Sequence, residues 1–140
     1  MKRKKIADVL SSISVSEAMT GRTITLEAET PLAEAQEIMM QFGHAIFPVM
    51  KGQELMGTIT YESVIEGLRE YDDKAPVKKV TMADFATISI GKTLRDAAQM
   101  MAREENGRLL VVDDEDDRHL IGILSRSDVL KAYETAINED

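Results

Sequence analysis

Cysteine and tryptophan are both absent from this 140-residue chain. Without cysteine there is no disulfide frame, no thiolate ligand for zinc and no thiol nucleophile, which fits a reducing, cytoplasmic setting. Only two histidines occur, His44 and His119, at unrelated places. Zinc-assisted and triad hydrolysis therefore lack their parts, and we expect no catalytic residue, no metal and no resident cofactor. No apolar stretch approaches the ~20 residues that span a bilayer, and none follows the basic run Lys2-Arg3-Lys4-Lys5 as a signal peptide would require. The expectation is a chain that does not insert into a membrane, with the basic run a solvated tail. Positive charge is in deficit, with a net charge of −8, which disfavours generic nucleic-acid binding because phosphate contacts supply most of that affinity. Aromatics are scarce at 4%, whereas hydrophobic residues reach 44% and methionine numbers nine, so the core is aliphatic and adaptable.

What the chain does contain is itself, twice. Sliding residues 22–50 onto 84–112 pairs Thr25 with Thr87, Leu32 with Leu94, Ala35 with Ala97, Met39 with Met101 and Val49 with Val111. A three-residue expansion in the second half then brings Gly57 onto Gly122 and Val64 onto Val129. Two copies of one supersecondary unit are expected, over 12–70 and 75–135. Each reads as a short extended piece (23–26 or 86–90), then a helix, then two brief strands, then a second helix. Thr30-Pro31 opens the first helix, with Leu32, Ala35, Ile38, Met39 and Phe42 on one face. The strands 46–50 and 55–60, and 109–112 and 120–124, are joined by turns too short for a crossover, so they are antiparallel. The polar stretch 71–76 links the copies. The expected fold is α+β: two β-α-β-β-α repeats, sheets packed together and helices outside. The acidic tip Asp113-Asp114-Glu115-Asp116-Asp117 reads as a solvated loop, with a cation site as the lesser alternative.

The most informative segment is Gly122-Ile123-Leu124-Ser125-Arg126-Ser127-Asp128. Ser125-x-x-Asp128 at a helix start is a capping box. The same geometry suits a ribonucleotide. A helix N-terminus attracts phosphate, Ser125 donates to an oxygen, Arg126 neutralises the anion, and Asp128 accepts from a ribose diol. Gly122 would let the ligand lie against the backbone. The first copy reads Gly57-Thr58-Ile59-Thr60-Tyr61-Glu62-Ser63, with serine in place of the acid, so a weaker or differently filled site is expected there.

These paired Gly-x-x-Thr/Ser-x-x-Asp segments, with Val15-Ser16-Glu17-Ala18-Met19-Thr20 and Phe47-Pro48-Val49, resemble the cystathionine β-synthase (CBS) domain pair, or Bateman module. The resemblance spans about Val15 to Tyr133. It implies a regulatory ligand such as AMP, ADP, ATP or S-adenosylmethionine held in a cleft between the copies. It assigns Ser125 and Asp128 to ribose and phosphate, with Ile123 beside them and Ala86, Thr87, Leu109 and Arg108 lining the adenine pocket. The weaker counterpart would comprise Gly57, Thr58, Thr60, Ser63, Ile24, Thr25 and His44. Members resemble one another in forming dimers through their helices, so a homodimer is expected. More narrowly, residues 10–19 and 125–133 look like the cytosolic tail of prokaryotic voltage-gated chloride channel or transporter proteins, which implies attachment to such a host. The rival expectation is a structural dimerisation module with no bound nucleotide.

Overall fold

The computed structural model describes residues 5–139, so Lys2, Arg3 and Lys4 of the basic run lie outside the described residues. Two compact units emerge. One comprises residues 24–85; the other joins the residues up to Thr23 with those from Ala86 onward. We call them the repeat-1 and repeat-2 units after the sheets they hold. The first sheet has the order β1 (Leu26–Glu27), β2 (Ile46–Lys51), β3 (Glu54–Thr60) and the second β4 (Thr87–Ser89), β5 (Arg108–Val112), β6 (Leu120–Ser125). In each, the first strand pairs parallel and the last antiparallel to the middle one. The fold is mixed α+β, as the sequence pattern implies.

Helices α3 (Leu32–Phe42) and α5 (Leu94–Arg103) connect the first and second strands of each sheet. Their buried positions, Leu32, Ala35 and Met39 against Leu94, Ala97 and Met101, recur at helical spacing and enter the two separate cores. Each of the leucine and methionine side chains contributes roughly 1.5–3 kcal/mol on leaving water. Phe42, expected on the same face, is 43% exposed because α3 ends there and the chain turns away at Gly43. Helices α4 (Tyr61–Glu70) and α6 (Arg126–Asn138) follow the last strands directly.

Three elements have no counterpart in the sequence reading: α1 (Ile6–Ser11), α2 (Val15–Ala18) and the short 3-10 helix Val77–Val80. Val9, Ile13 and Val15 join the repeat-2 core, and Val77 joins the repeat-1 core. The stretch 71–76, expected as a plain linker, bonds to the start of α3: Leu32 N–H donates to the Ala75 carbonyl (2.8 Å) and Ala33 N–H to that of Asp73 (3.1 Å). Thus the segment ahead of each repeat packs on the sheet of the other repeat.

The acidic tip is tied down in part. Asp114 accepts from the Ser89 hydroxyl and from the Gly91 N–H (2.9 Å), which pins the β5–β6 tip to the turn after β4. The Ser89 hydroxyl, then the Gly91 amide, hold the Asp114 carboxyl below its ordinary value of 3.8. Asp96 is likewise lowered from 3.8, first by the Thr93 N–H and then by the Thr93 hydroxyl. A depressed folded-state value stabilises above the unfolded value and loses that contribution as pH falls through the folded one. The contribution of these two carboxylates to stability should therefore fade as pH falls through the ordinary value of 3.8 and below it. Replacing both residues with asparagine should lower the denaturation midpoint at neutral pH and flatten its acid dependence. An unchanged acid slope in the double variant would contradict this.

Candidate ligand-binding site

The repeat-2 sheet brings three chain segments to one end: the start of β4, the start of β5 and the end of β6. The register sets Thr87 opposite Leu110, and Arg108 opposite Ser125. Ala86 and Thr87 are half-buried there, while Arg108 and Arg126 are exposed. Arg126 donates its N–H to the Gly107 carbonyl (2.8 Å), and a side chain at 107 would meet the Arg126 guanidinium at 3.6 Å. The guanidinium thus lies over Gly107, beside Arg108. Among the described residues neither arginine takes part in an ion pair.

At the head of α6 the capping box is formed. Asp128 N–H donates to Ser125 Oγ (3.1 Å), and Ser125 N–H to Asp128 Oδ2 (2.8 Å). Asp128 Oδ1 accepts no hydrogen bond among the described residues. The box uses one carboxylate oxygen and leaves the other available. The box itself is no ligand signature, because Ser14 with Glu17 and Thr93 with Asp96 build the same device at α2 and α5.

Two expected residues have surroundings of their own. Leu109 is fully buried in the repeat-2 core, because strand alternation turns Arg108 out and Leu109 in. The clearance that Gly122 creates is used by the chain itself: a Cβ there would stand 2.6 Å from the Thr20 carbonyl oxygen and 2.9 Å from Met19 Sδ. Ile123, half-buried beside it, exchanges both backbone hydrogen bonds with Thr20, at 2.9 and 3.0 Å.

The repeat-1 sheet repeats this frame with other chemistry. Ile46 stands opposite Thr60 where Arg108 stands opposite Ser125. Tyr61 occupies the place of Arg126, and Ser63 that of Asp128. Thr60 Oγ1 accepts from the Ser63 N–H (3.1 Å) and shares a 2.8 Å bond with its hydroxyl, so the cap survives without a carboxylate. A Cβ at Gly57 would collide with the Met82 carbonyl. Thr58 is only 3% exposed, and both its backbone groups bond to Met82. Ile24 is half-buried, Thr25 exposed, and His44 exposed with its ring 5.5 Å from that of Phe47. Both cations and the acid are thus missing together. Ser63 in place of Asp128 and Ile46 in place of Arg108 both follow from the repeat alignment; the register adds that Ile46 stands opposite Thr60. Among the described residues no three His, Asp or Glu side chains form a metal-binding group, and no helix is long and apolar enough to cross a membrane.

Known proteins fall in line with this architecture. The family model described as CBS domain matches twice, at residues 15–70 and 77–135. Uncharacterized protein MJ0188 of Methanocaldococcus jannaschii is 27% identical over 86% of this chain, which spans only 44% of that relative's length. Among solved structures, CBSX2 in complex with AMP is similar at a TM-score of 0.75 and 23% identity, covering 89% of this chain and 98% of that one. The CBS domain of the bacterial CNNM/CorC family Mg2+ transporter reaches a TM-score of 0.76 at 18% identity, covering 91% and 79%. The duplicated β-α-β-β-α frame and both family matches lead to one assignment: this chain belongs to the CBS domain family, as a tandem pair.

Proposed function

We propose that the repeat-2 unit binds an adenosine-containing ligand, AMP, ADP, ATP or S-adenosylmethionine, and that the chain works as a regulatory module. The observation that carries this reading is the convergence of Ser125, Asp128, Arg108 and Arg126 at one sheet end. Asp128 Oδ1 is open to a ribose diol. Two unpaired guanidiniums and the N-terminus of α6 suit a phosphate or another charged tail. AMP bound to a structurally similar CBS protein supports the same class of ligand. The repeat-1 unit, with Ile46, Tyr61 and Ser63 at the equivalent places, offers neither the acid nor the cations and is the weaker site.

A ligand regulates only by binding one arrangement of its host better than another. The host in this reading is a linked or partner channel or transporter on the cytoplasmic side, a chloride-channel protein among the proposals; the likeness to a Mg2+ transporter's CBS domain supports the transporter class. A homodimer is part of the proposal, favoured by exposed Met40, Leu130 and Ile137 on α3 and α6. The second reading, a structural module without nucleotide, draws on the three capping boxes, which account for Ser125 and Asp128 by stability alone. A thermal-shift screen separates them. A ligand at about 100 times its Kd should add ~2.7 kcal/mol of stability and raise the melting temperature by several degrees. No shift with any of the four ligands would leave the structural reading.

A further inference from the structure

We infer that residues 14–20 form a strap through which occupancy of the Ser125–Asp128 motif reaches the rest of the chain; this rests on the reading of that motif as the ligand site. Strand β6 is paired on one edge by β5, with an irregularity at Ile121. On its other edge, among the described residues, it has one backbone partner, Thr20, in an isolated antiparallel bridge to Ile123. Thr20 N–H donates to the Ile123 carbonyl (2.9 Å), and Ile123 N–H to that of Thr20 (3.0 Å). Two residues later, Ser125 holds the head of α6.

The strap is anchored at both ends. Upstream, Leu94 N–H donates to the Ile13 carbonyl (2.9 Å) and Val15 N–H to that of Lys92 (2.9 Å), which fixes the strap to the start of α5. Between the anchors lies α2, whose Glu17 and Ala18 line the same groove as Asp128 and Lys131. The strap therefore meets β6 by its backbone at Ile123, and α2 faces the groove that Asp128 also lines. Beyond Thr20, only residues 21–25 separate the bridge from β1 of the other unit. The 3-10 helix stands in the corresponding place in the repeat-1 unit, between a Pro31–Pro76 bridge and a Thr58–Met82 bridge, and the chain then passes into β4. In both units the crossover to the other sheet thus begins at a residue bonded to the motif-bearing strand.

A ligand that fixes Ser125 and Asp128 orders the end of β6, and that order favours the Thr20 bridge. By linkage, the bridge must favour the ligand equally. Amide hydrogen exchange on the whole chain, with and without saturating AMP, tests this. The inference predicts that AMP slows the Thr20 and Ile123 amides by about fivefold or more, within the usual range of coupling between sites. Thr20→Pro, which removes the donor, should weaken AMP by a similar factor, whereas Thr20→Ala, which keeps it, should not. If AMP protects Ser125 and Asp128 but leaves Thr20 and Ile123 unchanged, the strap inference is wrong and the ligand site stands. If AMP and the other adenosine ligands fail to bind, the ligand reading is wrong. The strap then stands or falls on the ligand-free chain, where Thr20→Pro must speed exchange at Ser125 and Asp128.

Discussion

Asp128→Ala is expected to weaken AMP binding by about 30-fold or more, because hydrogen bonds to a charged group contribute roughly 1.5–3 kcal/mol each. The change also removes half a capping box, at a cost to stability of about 1 kcal/mol. These effects are separable, because the same unit carries a second box of identical design. Asp96 accepts from the N–H and the hydroxyl of Thr93, both at 3.0 Å, at the head of α5. Asp96→Ala should therefore reproduce the loss of stability and leave AMP affinity unchanged. Calorimetry reads the affinities and chemical denaturation the stabilities. Should both variants weaken AMP equally, Asp128 would act only as a cap.

The largest expected loss of stability lies at a glycine. At Gly57 a methyl group would overlap the Met82 carbonyl and approach Thr81 Cγ2 at 2.7 Å. The bridge it would displace holds Met82 to Thr58 by two hydrogen bonds of 2.8 and 2.9 Å. Backbone cannot yield as a flexible side chain can, so Gly57→Ala should cost about 3 kcal/mol, at the upper end of overpacking effects. Gly122→Ala should cost somewhat less, since its approach to the Thr20 carbonyl oxygen, at 2.6 Å, is less severe than the overlap at Gly57. Gly21, with nothing within 4 Å, is the control and should tolerate alanine. Urea denaturation of the three variants checks the order. Equal stabilities at 57 and 21 would contradict the bridge.

These glycines also show where the sequence stopped being legible. Alternation of apolar residues and the internal repeat disclosed the strands, the connecting helices and the α+β class, because burial imposes a period on side chains. The bridges at Thr20 and Met82 are made by backbone, which leaves no pattern in residue type. The sole sequence trace is the glycine opposite each, and a glycine at 122 reads as well for ligand clearance as for chain clearance. The exchange of leading segments between the units was hidden for the same reason. The burial of Leu109 was not legible, because residues 109–112 are all apolar and the face that turns inward carries no signal. At the site itself, Ser125, Arg126 and Asp128 were legible as a motif. The pairing of Arg108 with Ser125, and of Ile46 with Thr60, required the register.

On the proposed function the nucleotide belongs at the repeat-2 motif. A crystal structure of the chain grown with AMP tests it most directly. The predicted result places the ribose hydroxyls on Asp128 and the phosphate near Arg108, Arg126 and the head of α6. AMP seated at Thr60 and Ser63 with the Asp128 site empty, or no AMP at either motif at saturating concentration, would contradict it.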